Sequence, residues 1–443
     1  MARRDDRLAN WILIGLVTGA TAGAATLVIG GIAPSVLPAA RAVATNVLDP
    51  LGQVFLRLLF FVVMPLVFAS LATGVVQLGR LSSLGPLAGR TFVLFFFNMA
   101  IAVALGMIMM NVVEPGNRLD EPTQARLVQE YGGAAAQQIE RNAQSPALTP
   151  GTLVDMFMPR NLLGAFVGND RNALGEVLPL IVFAILVGAA GAALAPEKRA
   201  RLQTQLELVN ELMTTIVHFA LRLAPYAVPA MIYSVVVKIG FDILVALGVF
   251  VLGCAACMLI HLFGTMSIWL KLWTRHRPLE FFRQMKTVLL TAFSTSSSAA
   301  TLPAALDAAQ NQLAVRPSVA GFVLPLGTTM NMSGTALYEG CVVLFVAQVF
   351  GFDLGFGQQL ALLVLSVFSA VAVAAIPGGS LPLIAGLLIT FGIPPEGIGI
   401  VLGVDRVLDM TRTMVNVGSD VVTTLVVDAR TPADAAPAAV VDT

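Results

Sequence analysis

Charge, histidine and cysteine are all scarce in this chain. Only 12% of its 443 residues are charged, where a soluble domain carries about 25%. That shortfall excludes an ordinary soluble enzyme and a disordered chain. Three cysteines do not make a disulfide framework. Three scattered histidines, His218, His261 and His276, argue against a His-ligated metal centre. Cys254 and Cys257 form a CxxC, but inside an apolar run, where it reads as helix packing. Basic and acidic residues number 26 each, so no net positive charge invites nucleic acid. What is abundant is apolar surface: 57% of the residues are hydrophobic and the mean hydropathy is +0.84. Those figures point to an all-α polytopic membrane protein.

A spanning helix needs about 20 apolar residues. Stretches without Asp, Glu, Lys or Arg run over Leu8–Ala40, Leu58–Gly79, Thr91–Val113, Val177–Pro196, Ile243–Leu270, Thr287–Leu306, Pro317–Tyr338 and Leu354–Pro395. Leu212–Val237 is interrupted by Arg222 alone, and Gly397–Val427 is apolar but carries several charges. The N-terminal run is too long and Gly-rich for a signal peptide. Arg3, Arg4 and Arg7 place the N-terminus in the cytoplasm under the positive-inside rule. Alternation then puts Glu114–Glu176 outside and the basic segment Lys271–Lys286 inside, with Arg41 as the exception. The Ala/Pro/Asp-rich tail from Arg430 to Thr443 reads as disordered and cytoplasmic.

After residue 286 the pattern changes. Thr287–Leu306 has a Ser run followed by Pro303 at its centre, a poor lipid-facing helix. Leu354–Pro395 is too long for one span and is split by Pro377-Gly-Gly-Ser-Leu-Pro382. Both read as hairpins that enter the membrane, turn at a small polar tip and leave on the same side. Such backbone is tolerated only against protein or a cavity. Each hairpin precedes a helix bearing an asparagine, Asn331 or Asn416, and the two units start from opposite sides. Inverted hairpin-plus-broken-helix repeats are a transporter signature.

The last helix holds the chemistry. Asp405, Asp409, Arg412, Asn416 and Asp420 are spaced 4, 3, 4 and 4 residues apart, on one helical face. Charges embedded among Val, Leu and Met are costly and mark function. An Arg fork holds a carboxylate bidentately. An Asp one turn away holds an ammonium. Asp420 with amide and carbonyl oxygens suits a hard cation such as sodium. Together they describe a site for a zwitterion with an extra carboxylate, coupled to a cation. In the preceding helix Gly327 and Gly334 are expected to loosen the backbone and free carbonyls for an ion. Glu339 is an isolated carboxyl in an apolar segment, suited to carrying a proton.

These residues carry a resemblance. Ser296-Ser-Ser with Thr301-Leu-Pro303, Leu324-Pro-Leu-Gly-Thr-Thr-Met-Asn-Met-Ser-Gly-Thr335, Ile376-Pro-Gly-Gly-Ser380, and the run from Asp405 to Asp420 with Arg412-Thr-Met-Val-Asn416 at its centre stand in family order. The chain resembles the dicarboxylate/amino acid:cation symporters, weakly in its N-terminal half. That resemblance implies eight spans, two re-entrant hairpins, inverted repeats, a homotrimer and an elevator mechanism. It implies scaffold helices 1–2 within 1–80, transport-domain helix 3 within 81–114, an extracellular loop over 115–176, and scaffold helices 4–5 within 177–240. The transport core would be 241–429, with a first hairpin near 282–312, helix 7 near 317–350, a second hairpin near 357–392 and helix 8 near 395–427. By position, Ser296, Ser297 and Ser298 would meet substrate from the first tip. Ile376 and Ser380 would belong to the outer gate, and Thr335, Asp409, Arg412, Thr413 and Asn416 would complete the pocket. Asp409 would take the α-amino group and Arg412 the side-chain carboxylate. One sodium site would use Gly327, Asn331, Asn416 and Asp420. A second would use Thr329 and Met332 with carbonyls of Ala370, Val371 and Val373. Glu339 would couple protons.

Departures from the family pattern are specific. Ser333 stands where an Asp is usual, and Ser380 where a Gly is usual. Phe95, Asn98 and Met99 stand at the positions of a hydroxyl-bearing cluster that helps to hold a third sodium. That site is therefore expected to be lost. The expected activity is symport of acidic amino acids with sodium or protons in the inner (plasma) membrane, with both termini cytoplasmic and no resident cofactor. A C4-dicarboxylate carrier is the alternative, against which an unpaired Asp409 would argue. A Ser hydrolase lacks a base near the Ser cluster, and a plain ion channel would have no use for Arg412 beside Asp409.

Overall fold

A computed structural model describes residues 2–81, 86–119, 158, 160–167, 177–373 and 380–431. Among the described residues every regular element is a helix. The N-terminal part holds α1 (Ala2–Ile32), α2 (Val36–Val43), α3 (Asp49–Phe61) and α4 (Val63–Leu81). Then come α5 (Pro86–Val113), α6 (Leu162–Val167), α7 (Val177–Ala192), α8 (Pro196–Leu221) and α9 (Ala224–Ile239). α10 (Asp242–Leu259) runs through a π turn into α11 (Met266–Trp273), and α12 (Pro278–Gln284) follows. The remaining helices are α13 (Lys286–Thr295), α14 (Ser298–Asp307), α15 (Pro317–Met330), α16 (Ser333–Val349), α17 (Phe356–Ala372), α18 (Leu381–Thr390) and α19 (Ile398–Arg430).

Four described helical stretches are long and apolar enough to cross a membrane: Ile14–Ile32, Leu87–Arg118, Asp242–Trp273 and Pro317–Val349. They differ in what surrounds them. The first three expose much of their surface, whereas the most apolar window of Pro317–Val349 is wholly buried. A helix apolar on all sides belongs inside a bundle. Accordingly α16 packs against α5, α17 and α19, and α15 against α14 and α19. α19 is itself buried along almost its whole length. The ion-bearing face of α19 therefore lies in the middle of the protein.

The N-terminal helices form the flank. α1 packs on α9, α7 and α8 pack on α4, and α3 is tied to α9 by charge. Lys238 Nζ lies 2.6 Å from Asp49 Oδ2, and the Ser234 hydroxyl donates to Asp49 Oδ1 at 2.5 Å. α18 touches α3, α4 and α7, so the second helix pair meets this flank directly.

Three interruptions shape the interior. Between α13 and α14, Ser296 is left-handed at φ 50° without a glycine's freedom. Ser297 then caps α14 by accepting the Ala300 N–H at 3.2 Å. The α15–α16 break falls at Asn331 and Met332, whose ψ values of 58° and 63° leave the helix. Gly327 and Gly334 were the expected weak points, yet both sit inside helices. Their role is close approach: a Cβ at Gly327 would lie 2.6 Å from Asp420 Oδ1, and one at Gly334 would lie 2.6 Å from the Arg412 carbonyl. Between α17 and α18 residues 374–379 fall outside the described set, and Ile376 with them. The same holds for most of the 115–176 loop and for the tail beyond residue 431.

Candidate functional site

α19 carries Asp405, Asp409, Arg412, Asn416 and Asp420 in a single buried register. Arg412 is 2% exposed and is held on every side. Its Nη2 donates to Asp409 Oδ1 at 2.6 Å and lies 3.4 Å from Asp405 Oδ1. Its Nη1 donates to the Ser380 hydroxyl at 2.5 Å, across from the start of α18. The guanidinium carbon stands 4.3 Å from the centroid of the Tyr338 ring. A desolvated cation over an aromatic face gains about 2 kcal/mol. Arg406, one turn before, places Nη1 3.6 Å from the other Asp409 oxygen.

This arrangement is closed on itself but not saturated. Arg412 Nε, Asp405 Oδ1 and Asp409 Oδ2 are buried without a hydrogen bond. Buried polar atoms of that kind are costly unless a ligand completes them. A ligand with a carboxylate at one end and an ammonium at the other fits the set. The carboxylate takes the Arg412 fork, and the ammonium replaces Arg412 on Asp409.

Below this cluster the α15–α16 break meets α19. Asn331 Nδ2 donates to Asp420 Oδ1 at 2.9 Å, and Asn98 of α5 donates to Asn331 Oδ1 at 2.9 Å. The Ser333 and Ser419 hydroxyls are 3.0 Å apart. Asn416 accepts from the Gly334 N–H at 2.8 Å and donates to Thr335 Oγ1 at 3.2 Å. Asp420 Oδ2 is buried with no hydrogen bond, beside Gly327. One bare carboxylate oxygen among amide and carbonyl groups is a donor set for a hard cation. Gly327 and Asn331 thus meet Asp420, whereas Asn416, one turn earlier on α19, bonds Gly334 and Thr335, and the Gly327 and Asn416 carbonyls already accept from Asn331 N and the Ser419 hydroxyl.

The other expected residues are placed less tightly. Ser296 and Ser298 are buried at the α13–α14 turn, which packs on α19, and the Ser296 hydroxyl has no hydrogen bond. Ser297 spends its hydroxyl on the cap. Thr413 donates to the Asp409 carbonyl at 2.9 Å, within its own helix. Thr329 donates to Leu326 O at 3.1 Å. Met332, Ala370, Val371 and Val373 are buried where α15 and α17 meet, but the Ala370 carbonyl already accepts from Val373 N at 3.3 Å. Glu339 is fully buried on α16, and its carboxyl faces the Ser369 hydroxyl of α17.

Known proteins bear on this geometry. The model of the sodium:dicarboxylate symporter family matches residues 8–430. The chain belongs to that family. A proton/sodium-glutamate symport protein of Geobacillus stearothermophilus is 30% identical over 94% of this chain and 92% of its own length. A proton/glutamate-aspartate symporter of Escherichia coli (strain K12) is 29% identical over 86% and 85%. A C4-dicarboxylate transport protein of Bacillus subtilis (strain 168) is 28% identical over 86% of each. As a member of the sodium:dicarboxylate symporter family the protein is an integral membrane transporter, not an enzyme.

Sequence reasoning passed over two residues of the symporter's interior. Tyr338 reads as an ordinary aromatic in an apolar helix, yet it lies three positions after Thr335, on the same helical face. Asp405 belongs to the polar register but lies outside the pocket that the resemblance implies; it sits 3.4 Å from Arg412.

Proposed function

We propose that the protein is a secondary active symporter of acidic amino acids, aspartate or glutamate, driven by sodium, protons or both. The buried Arg412–Asp409 pair carries this reading. It offers one fork for a carboxylate and one carboxylate for an ammonium, which together suit an amino acid with an acidic side chain. Ser296, Ser297, Ser298, Thr335, Ser380, Thr413 and Asn416 would line the same pocket, and Ile376 would close it from outside. The names of the glutamate-transporting relatives support this choice, and that of the dicarboxylate transporter keeps C4-dicarboxylates as the alternative.

Sodium would bind at Gly327, Asn331, Asn416 and Asp420, where a buried carboxylate oxygen lacks a partner. A second sodium would use Thr329 and Met332 with the carbonyls of Ala370, Val371 and Val373. A third is not expected, because Ser333 and Asn98 bring hydrogen bonds but no charge. Glu339 would carry a proton.

The proposed topology has eight spans and two re-entrant hairpins, α13–α14 and α17–α18, with both termini in the cytoplasm. Residues 1–80 and 177–240 would form the scaffold and trimer contact in the plasma membrane. Residues 81–114 and 241–429 would move as the elevator. The deciding experiment is uptake of labelled aspartate and succinate into proteoliposomes, with and without a sodium gradient. Gradient-driven aspartate uptake is the expected result; succinate uptake alone would transfer the assignment to dicarboxylates.

A further inference from the structure

The geometry points to Arg406 as the residue that sets the choice between acidic amino acids and dicarboxylates, and that admits dicarboxylates as a second substrate class. This inference rests on Arg412 and Asp409 being the substrate-binding pair. Arg406 belongs to no part of the pocket assigned so far. Its side chain is 10% exposed, and its Nη1 lies 3.6 Å from Asp409 Oδ2, opposite the oxygen that Arg412 holds. Asp409 is therefore bracketed by two guanidiniums. With Asp405 beside Arg412, the buried set contains two carboxylates and two guanidiniums, with formal charges that cancel.

Consider what each ligand does to that balance. When a substrate carboxylate takes the Arg412 fork, Asp409 gives up its 2.6 Å partner. An amino acid replaces it with an ammonium. A dicarboxylate brings none, and an uncompensated Asp409 would repel it; that is the sequence-level objection to dicarboxylates. Arg406 removes the objection, because its Nη1, 3.6 Å from an Asp409 Oδ2 that has no hydrogen bond, remains as a counter-charge and can close on that oxygen when Arg412 turns away. It is fixed on the same helix three residues before Asp409, independent of how α18 sits. Arg406 acts through Asp409 and is a positioning residue for specificity.

The test compares two unlabelled competitors, aspartate and succinate, against labelled aspartate uptake in proteoliposomes. In the wild-type protein succinate should compete, at a half-inhibiting concentration within about a hundredfold of that of aspartate. In Arg406→Gln the succinate-to-aspartate ratio should rise by about tenfold or more, whereas Arg406→Lys, which keeps the charge, should stay within about threefold of wild type. Calorimetric binding of the same two ligands to purified Arg406→Gln gives the ratio even if that variant does not translocate. No inhibition of the wild type by succinate at about a thousandfold excess, or an unchanged ratio in Arg406→Gln by either measurement, overturns the inference. Absence of aspartate uptake in the wild type would overturn the substrate reading together with it.

Discussion

Arg412 and Asp409 meet 2.6 Å apart, three residues distant on one buried helix, with the Tyr338 ring beneath the guanidinium and the Ser380 hydroxyl on its far edge. Each is the other's counter-ion until a ligand separates them. Removing Arg412 takes away the carboxylate fork and leaves Asp409 with Arg406 at 3.6 Å as its remaining guanidinium. Arg412→Ala should therefore sharply weaken binding of acidic substrates while leaving the pocket open to neutral amino acids. The loss for aspartate should be ~2–5 kcal/mol, roughly thirtyfold and more in affinity. Unchanged aspartate affinity would remove Arg412 from the site.

Gly327→Ala tests the first sodium site. The new methyl would stand 2.6 Å from Asp420 Oδ1 and 2.7 Å from its carboxyl carbon, so the carboxylate must move. Overpacking of this kind costs about 1–3 kcal/mol. Here it should appear as a fall in apparent sodium affinity, roughly fivefold to a hundredfold. Gly321→Ala in the same helix is the control, since nothing lies within 4 Å of its added methyl. Equal sodium dependence of aspartate uptake in the two variants would exclude Asp420 as a ligand.

The proposed inverted hairpins make a sidedness prediction. Cys placed at Ser298 should react mainly from the cytoplasmic side, and Cys at Gly379 mainly from outside. Substrate with sodium should protect both. The check is labelling by membrane-impermeant thiol reagents in right-side-out and inside-out vesicles, on a background with Cys254, Cys257 and Cys341 replaced. Labelling of both positions from one face would break the hairpin model.

Much of the interior could be read from spacing alone, because a helix converts intervals of three and four residues into a face. That rule alone puts Asp405, Asp409, Arg412, Asn416 and Asp420 on one face. It was less informative where contacts join distant segments. Ser380 reaches Arg412 across 32 residues, and Asn98 reaches Asn331 across 233. No local pattern encodes either pairing. The helix break also fell between the glycines expected to cause it, since Gly327 and Gly334 serve the approach of α19 rather than the bend. Arg406 shows the limit of helical-wheel reasoning for long side chains. It starts about 100° off the polar face, yet its guanidinium returns to Asp409.

The coupling prediction follows from the hydrogen bonds at the α15–α16 break. Asn98 donates an amide N–H to Asn331 and keeps its own Oδ1 without a hydrogen bond, and Ser333 shares a bond with Ser419, so these side chains bring neutral groups only; the nearby carboxylate, Asp420, bonds Asn331 and belongs to the first site. Phe95 and Met99, the flanking residues on α5, are fully buried and offer no oxygen from their side chains. A midplane sodium there would keep most of its desolvation cost, so the sodium Hill coefficient should not exceed about two. Glu339 then becomes the candidate for the remaining driving ion. It has no exposed surface; the Ser369 hydroxyl of α17, the arm expected to move with the outer gate, lies beside it, and the Arg412 charge also acts on it. Crossing with a proton avoids burying a bare charge, and release inside needs only that the arm's departure admits water. Net uptake should accordingly respond to an imposed pH gradient. Exchange of internal for external aspartate moves no net proton, so Glu339→Gln should lose the pH response of net uptake by a far larger factor than it loses exchange. A stoichiometry of three sodium ions from reversal potentials, or a pH response intact in Glu339→Gln, would refute this division of labour.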